Sequence, residues 1–131
     1  MAEYKLGKTI TERLAKSDPG NAEWQRDLAV SFSKVSDVLV AQGNLPEALK
    51  SYRDSLAIRE PLAKPDPGNA EWQRALAVSY SKLAVVLRKM GASAEALTAL
   101  RQGQAIIVRM TQVSSDNAVW KRDLVWWFIA V

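Results

Sequence analysis

Arg26, Arg74 and Arg122 stand at equal intervals of 48 residues, and their side chains are well suited to recognising another molecule. A guanidinium presents a planar fork of donors that fits a carboxylate or a main-chain carbonyl. The competing use is a solvated surface pair with Glu23 or Glu71, worth about 0–1 kcal/mol each. Little other chemistry is on offer. The chain has no His and no Cys. The commonest general bases, nucleophiles and transition-metal ligands are therefore missing, as are disulfides. Asp and Glu follow the spacing of the arginines and fall at helix caps and exposed positions. The glycines read as helix stops, and no Gly-rich loop stands before a helix to cradle a phosphate. Neither catalysis nor a cofactor nor a metal is expected. The net charge is +4. Lys and Arg are mixed with Asp and Glu along the chain, so nucleic acid is a poor fit.

The elements that carry these arginines are copies of one unit. Residues 17–34 read SDPGNAEWQRDLAVSFSK and residues 65–82 read PDPGNAEWQRALAVSYSK. Asn21-Ala22-Glu23-Trp24 returns as Asn69-Ala70-Glu71-Trp72 and again as Asn117-Ala118-Val119-Trp120. The register divides the chain into a partial unit (1–20), two full units (21–68 and 69–116) and a second partial unit (117–131). Such a chain buries its core by stacking copies. It reads as a piece of a longer array or a short array with truncated ends. Near-identity of this degree fits recent duplication or consensus design.

Each unit reads as two helices. Asp18-Pro19-Gly20-Asn21 is a turn cluster, and Asn21 can accept a free first-turn N–H. Trp24, Leu28, Phe32, Val35 and Leu39 then recur at spacings of three and four, as one apolar stripe. Gly43 ends that helix, because glycine tolerates the left-handed backbone of a helix C-terminus. Asn44 is placed to cap the next helix, and Pro46 falls in its first turn. Leu45, Ala48, Leu49, Tyr52, Leu56 and Ala63 carry the apolar face onward. The second unit repeats the pattern with Trp72, Leu76, Tyr80, Leu83 and Leu87, then Ala96, Leu97, Leu100 and Ile107. The expected helices are 3–16, 21–42, 45–64, 69–90, 93–113 and 117–130. Pro61, whose counterparts are Arg13 and Arg109, removes a helical hydrogen bond and predicts a kink or early stop near 57–61. Trp24, Trp72 and Trp120 recur with the period and are expected to fill one repeated gap between helices.

The segment Phe32-x-x-Val35-Ser36-x-x-Leu39, followed by Gly43, Ala48, Tyr52 and Ser55, resembles a tetratricopeptide repeat. The second unit matches with Tyr80, Leu83-Ala84, Leu87, Gly91, Ala96, Leu100 and Gly103. The usual unit of that family is about 34 residues long, so the period here adds about two turns to each helix. Leu39 and Leu87 stand where an aromatic is usual, and a continuing helix replaces the closing proline. The resemblance implies an all-α fold, a right-handed helical-repeat solenoid of antiparallel helix pairs with about six helices. It also implies that the first helix of each pair lines a concave groove, which binds a protein or peptide ligand.

Carried onto this chain, the groove positions are Arg26, Val30, Ser33 and Asp37 in the first unit and Arg74, Val78, Ser81, Val85 and Lys89 in the second, with Arg122 beyond. The Lys/Asn set by which some members clamp the C-terminal carboxylate of chaperone peptides is missing, because Ser33, Asp37, Ser81 and Val85 occupy the places it needs. The alternative is a structural module that oligomerises through its ends. The run Val125–Val131, with Trp126, Trp127, Phe128 and Ile129, is apolar around much of a helix, where solenoids usually end in a polar cap. It is expected to be buried against another copy. No apolar run reaches the roughly 18–20 residues that span a bilayer, and residues 1–20 lack a signal-peptide core. No membrane is expected as a partner, and a cytoplasmic setting is the default.

Overall fold

A computed structural model of the chain describes residues 20–113, together with Arg13, Lys16, Arg122 and Trp127, which are each helical. The chain forms two units, Met1–Lys64 and Pro65–Val131. Among the described residues there are four helices and no strand. In the first unit α1 (Ala22–Ala41) packs on α2 (Leu45–Ala63), and in the second α3 (Ala70–Lys89) packs on α4 (Ser93–Val113). Each pair is a helical hairpin. The helices expected at 3–16 and 117–130 otherwise lie outside the described residues.

Local chemistry sets the start of α1 and α3 in the same way. The Trp24 N–H donates to Asn21 Oδ1 at 3.1 Å, and the Trp72 N–H donates to Asn69 Oδ1 at 3.1 Å. Glu23 and Glu71 add negative charge in the first turns, where the helix dipole favours it. The ends of the two helices also match. Gly43 and Gly91 have φ of 78° and 83°. With the glycine in that conformation, the Asn44 N–H reaches the Leu39 carbonyl at 2.9 Å and the Ala92 N–H reaches that of Leu87 at 2.9 Å. The glycine N–H groups bond Val40 and Arg88 at 3.0 and 3.1 Å, which completes a Schellman motif at both helix ends.

Asn44 departs from expectation. Its side chain makes no capping bond; its backbone is used instead, and Pro46 sits in the first turn of α2, where no N–H is needed. Replacing Asn21 or Asn69 by Ala is therefore expected to cost about 1 kcal/mol each, whereas Asn44→Ala costs only a few tenths. Urea unfolding of the three single variants measures the difference.

Pro61 does not stop α2 early. The helix runs through it to Ala63, and the Lys64 N–H still bonds the Glu60 carbonyl at 3.0 Å. Pro61 and Ala57 are both exposed. Water can therefore serve the Ala57 carbonyl that the missing N–H leaves free, and the disruption is confined to the last turns.

The cores follow the apolar stripes. In the first unit Leu28, Ala29, Val35 and Leu39 of α1 are buried with Ala48, Tyr52 and Ala63 of α2. In the second, Leu76, Ala77, Tyr80, Leu83, Ala84, Val86 and Leu87 of α3 meet Ala96, Ala99, Leu100, Ile106, Ile107 and Met110 of α4. Trp24 and Trp72 are half-buried rather than central. They lie in the first turn of their helices, at the end of each hairpin. Trp120 lies outside the described residues.

Candidate functional site

In the first unit, the expected binding stripe of α1 carries Arg26, Val30, Ser33 and Asp37 at spacings of four, three and four, which places them along one face. Much of its polar chemistry is already used within the hairpin. The hydroxyl of the buried Tyr52 donates to Asp37 Oδ1. Ser55, buried on α2, donates to the Ala29 carbonyl at 2.8 Å, so the 3.0 Å contact between the Ser33 and Ser55 oxygens must use the Ser33 proton. Arg26 Nη1 lies 3.9 Å from Asp27 Oδ1, an exposed and long ion pair.

The Tyr52–Asp37 bond has a consequence at high pH. Burial, then the hydrogen bond to Asp37, then the negative charge of Asp37 push the Tyr52 phenol well above its ordinary value. A group whose pKa is raised on folding contributes stability below its unfolded pKa, here about 10. That stability is lost as pH climbs from there towards the folded value, because the unfolded chain releases the proton first. Tyr52→Phe is therefore expected to show a shallower loss of stability above about pH 10 than the parent chain. Urea midpoints measured from pH 8 upward check this.

In the second unit, the stripe of α3 is more open. Val78 is 38% exposed and Val85 47%, two turns apart on the same face, with Arg74 and Lys89 exposed at either end. Between them the Ser81 hydroxyl bonds back to the Val78 carbonyl at 2.7 Å. The opposite face of α3 holds an internal polar link that the sequence reading missed. Gln73 is 1% exposed. Its Nε2 donates to the Asp66 carbonyl at 3.1 Å, and its Oε1 accepts from Arg109 Nη2 at 2.9 Å. The link ties the loop before α3 to the far end of α4. The repeat holds a hint of it, because Pro61 stands where Arg109 recurs and cannot make the bond in the first unit.

A scan against protein families finds the tetratricopeptide repeat over residues 28–66. That stretch carries a tetratricopeptide-type repeat. It runs from within α1 through α2 into the following loop, the helix–turn–helix that the sequence resemblance rested on. Tetratricopeptide repeats generally mediate protein–protein interaction, and the family is a non-enzymatic one. A search of the curated proteins found no match.

Trp127 is placed differently from expectation. It is 4% exposed, and its indole ring lies against Gly103 on α4. A Cβ at position 103 would come within 2.8 and 2.9 Å of ring atoms Cζ2 and Cζ3, and closer still to Cη2. Trp127 is thus covered by its own unit, because glycine in mid-helix opens a slot for the ring. The other members of the apolar run, Trp126, Phe128 and Ile129, lie outside the described residues. Arg122 is exposed. Among the described residues, no group of three or more metal-ligating side chains is assembled, and no helix is long and apolar enough to cross a membrane.

Proposed function

We propose that this chain is a protein-interaction module that holds a peptide or partner helix against the exposed stripe on the first helix of a hairpin, with α3 the more open of the two. The observation that carries the reading is the pair Val78 and Val85. Two branched apolar side chains stand exposed on one helix face, two turns apart, with the cations Arg74 and Lys89 at either end of the stripe. A partner helix laid along α3 would bury both valines, and its own acidic or carbonyl groups would meet Arg74 and Lys89. Arg26 and Val30 offer the same chemistry on α1, with Arg122 continuing the arginine series. Ser33 and Asp37 contribute less, since their hydroxyl and carboxylate are engaged within the hairpin. The repeat found over residues 28–66 supports a protein as the partner.

The test is selection from a displayed peptide library on the full chain, followed by titration of the recovered peptides. Arg26→Ala combined with Arg74→Ala is expected to weaken binding at least tenfold while the molar mass by light scattering stays unchanged. Equal binding by the double variant would overturn the assignment. The rival reading is self-association through Trp126, Phe128 and Ile129. It predicts that Trp126→Lys with Phe128→Lys converts an oligomer to a monomer.

A further inference from the structure

α1 and α3 are near-copies, yet their charge differs in one direction only. Asp27, Asp37, Val40 and Ala41 of α1 correspond to Ala75, Val85, Arg88 and Lys89 of α3. Each of these changes removes a negative charge or adds a positive one. In the first hairpin the Asp37 carboxylate is engaged by the Tyr52 hydroxyl. The second hairpin has no such clasp. Buried Leu100 stands in the place of Tyr52, and Val85, 47% exposed, in the place of Asp37.

Arg88 and Lys89 are exposed, three and four residues beyond Val85, so both lie beside it on the helix surface. Cations in a last turn can serve their own helix, because the dipole is negative there. α1 shows that this service is not needed. It has no basic residue in its last turn, yet it closes with the same Schellman motif. The basic pair of α3 is therefore surplus to the fold. Arg74, at the other end of the stripe, already interacts within the chain, so Arg88 and Lys89 are the cations that set the charge an occupant must carry.

A second copy of the chain is a poor occupant. An antiparallel two-fold pairing centred between Val78 and Val85 sets Lys89 against Arg74, and a parallel one sets each cation against its own equivalent. Like charges juxtaposed across an interface oppose association. A helix with carboxylates beside its apolar stripe meets the same face with complementary charge.

We propose that the C-terminal half of α3, rather than α1, seats an acidic amphipathic helix of another protein. Its Asp or Glu side chains meet Arg88 and Lys89, and its aliphatic side chains cover Val78 and Val85. The proposal rests on the reading of the chain as a partner-binding module and adds the charge of the partner and the hairpin that takes it. Orientation follows as well. Acidic residues favour the first turn of a helix, so the partner runs antiparallel to α3, with its N-terminus at Arg88 and Lys89.

The probe is a fluorescent, end-blocked synthetic peptide of about 18 residues, long enough to form a helix. It carries leucines seven apart and glutamates in its first two turns. Binding to the full chain is read by anisotropy. It is expected to saturate, and to weaken as salt is raised, because exposed charges are screened. Replacing the glutamates by glutamines is expected to weaken it at least tenfold. Arg88→Val with Lys89→Ala, which installs the residues of α1 at exposed positions, should do the same while the circular dichroism is unchanged. Lys64→Gln with Arg101→Gln removes as much charge from exposed positions elsewhere and should leave binding as in the parent chain. Equal binding by the glutamine peptide, undiminished binding by Arg88→Val with Lys89→Ala, or an equal loss in Lys64→Gln with Arg101→Gln would each overturn the proposal. If the acidic peptide fails while library-selected peptides still depend on Val78 and Val85, the interaction reading stands and the acidic helix falls. If the acidic peptide binds as expected while Arg26→Ala with Arg74→Ala leaves every selected peptide unaffected, the arginine stripe falls and the site on α3 stands.

Discussion

Trp127→Ala is expected to lower the stability of the chain by about 3–5 kcal/mol, the usual cost of emptying a buried aromatic site. The ring is almost wholly covered and lies in the slot that Gly103 leaves on α4. A paired substitution separates this packing from helix propensity. Glycine in the middle of an exposed helix normally gives way to alanine with a gain of about 0.5–1 kcal/mol. At position 103 the added methyl meets the indole ring, so Gly103→Ala is expected to cost about 1–3 kcal/mol, the range for overpacking a filled core. In the Trp127→Ala background the ring is absent, and the same change should recover its normal gain. Urea unfolding of the two single variants and the double variant forms the cycle. Additive effects would mean that the ring and the glycine are not in contact.

Ile107→Arg is the second large effect. The side chain is 1% exposed, so the substitution buries an unpaired charge among apolar neighbours. A buried charge left without a partner costs about 3–5 kcal/mol, a large share of the roughly 5–15 kcal/mol by which domains are stable. The variant is expected to lose cooperative unfolding of the second hairpin, or to unfold at much lower urea. At the equivalent position the first unit tolerates Arg59 because that side chain is only half-buried. The reverse change, Arg59→Ile, should therefore move stability in the opposite direction. If Ile107→Arg unfolds within experimental error of the parent chain, the second core is not packed as described.

The helices were legible because their signals are local. Asn21 and Asn69 before an apolar stripe, and Gly43 and Gly91 after it, place the ends of α1 and α3 to within a residue, since capping depends on groups a few residues away. Asn44 misled because proline and main-chain bonding start α2 without it. Pro61 does not end α2 early, because water can serve the carbonyl left free by a proline at an exposed last turn. Trp127 misled for a different reason. Whether an apolar residue faces solvent or its own chain depends on what stands opposite, here a glycine 24 residues earlier on another helix.

The binding stripe was legible as a set of positions and not as chemistry. Spacing places Arg26, Val30, Ser33 and Asp37 on one face, but only the packed hairpin shows Asp37 engaged by Tyr52 and Ser33 by Ser55. Arg59 stands on the second helix of its hairpin, half-buried where the other copy has the core residue Ile107. Its register against Ile107 was in the sequence and marked it as the odd residue of the two copies.

Exposed Val78 and Val85 are proposed as the core of a partner-binding face. Isothermal titration of a library-selected peptide into the full chain and into Val78→Asp combined with Val85→Asp tests it most directly. Both side chains are exposed, so the double variant should keep the helical circular dichroism and thermal midpoint of the parent chain. Its affinity is expected to fall by tenfold or more, which is about 1.4 kcal/mol or more of binding free energy. Undiminished affinity in a folded double variant would contradict it and move the partner to another face of the chain.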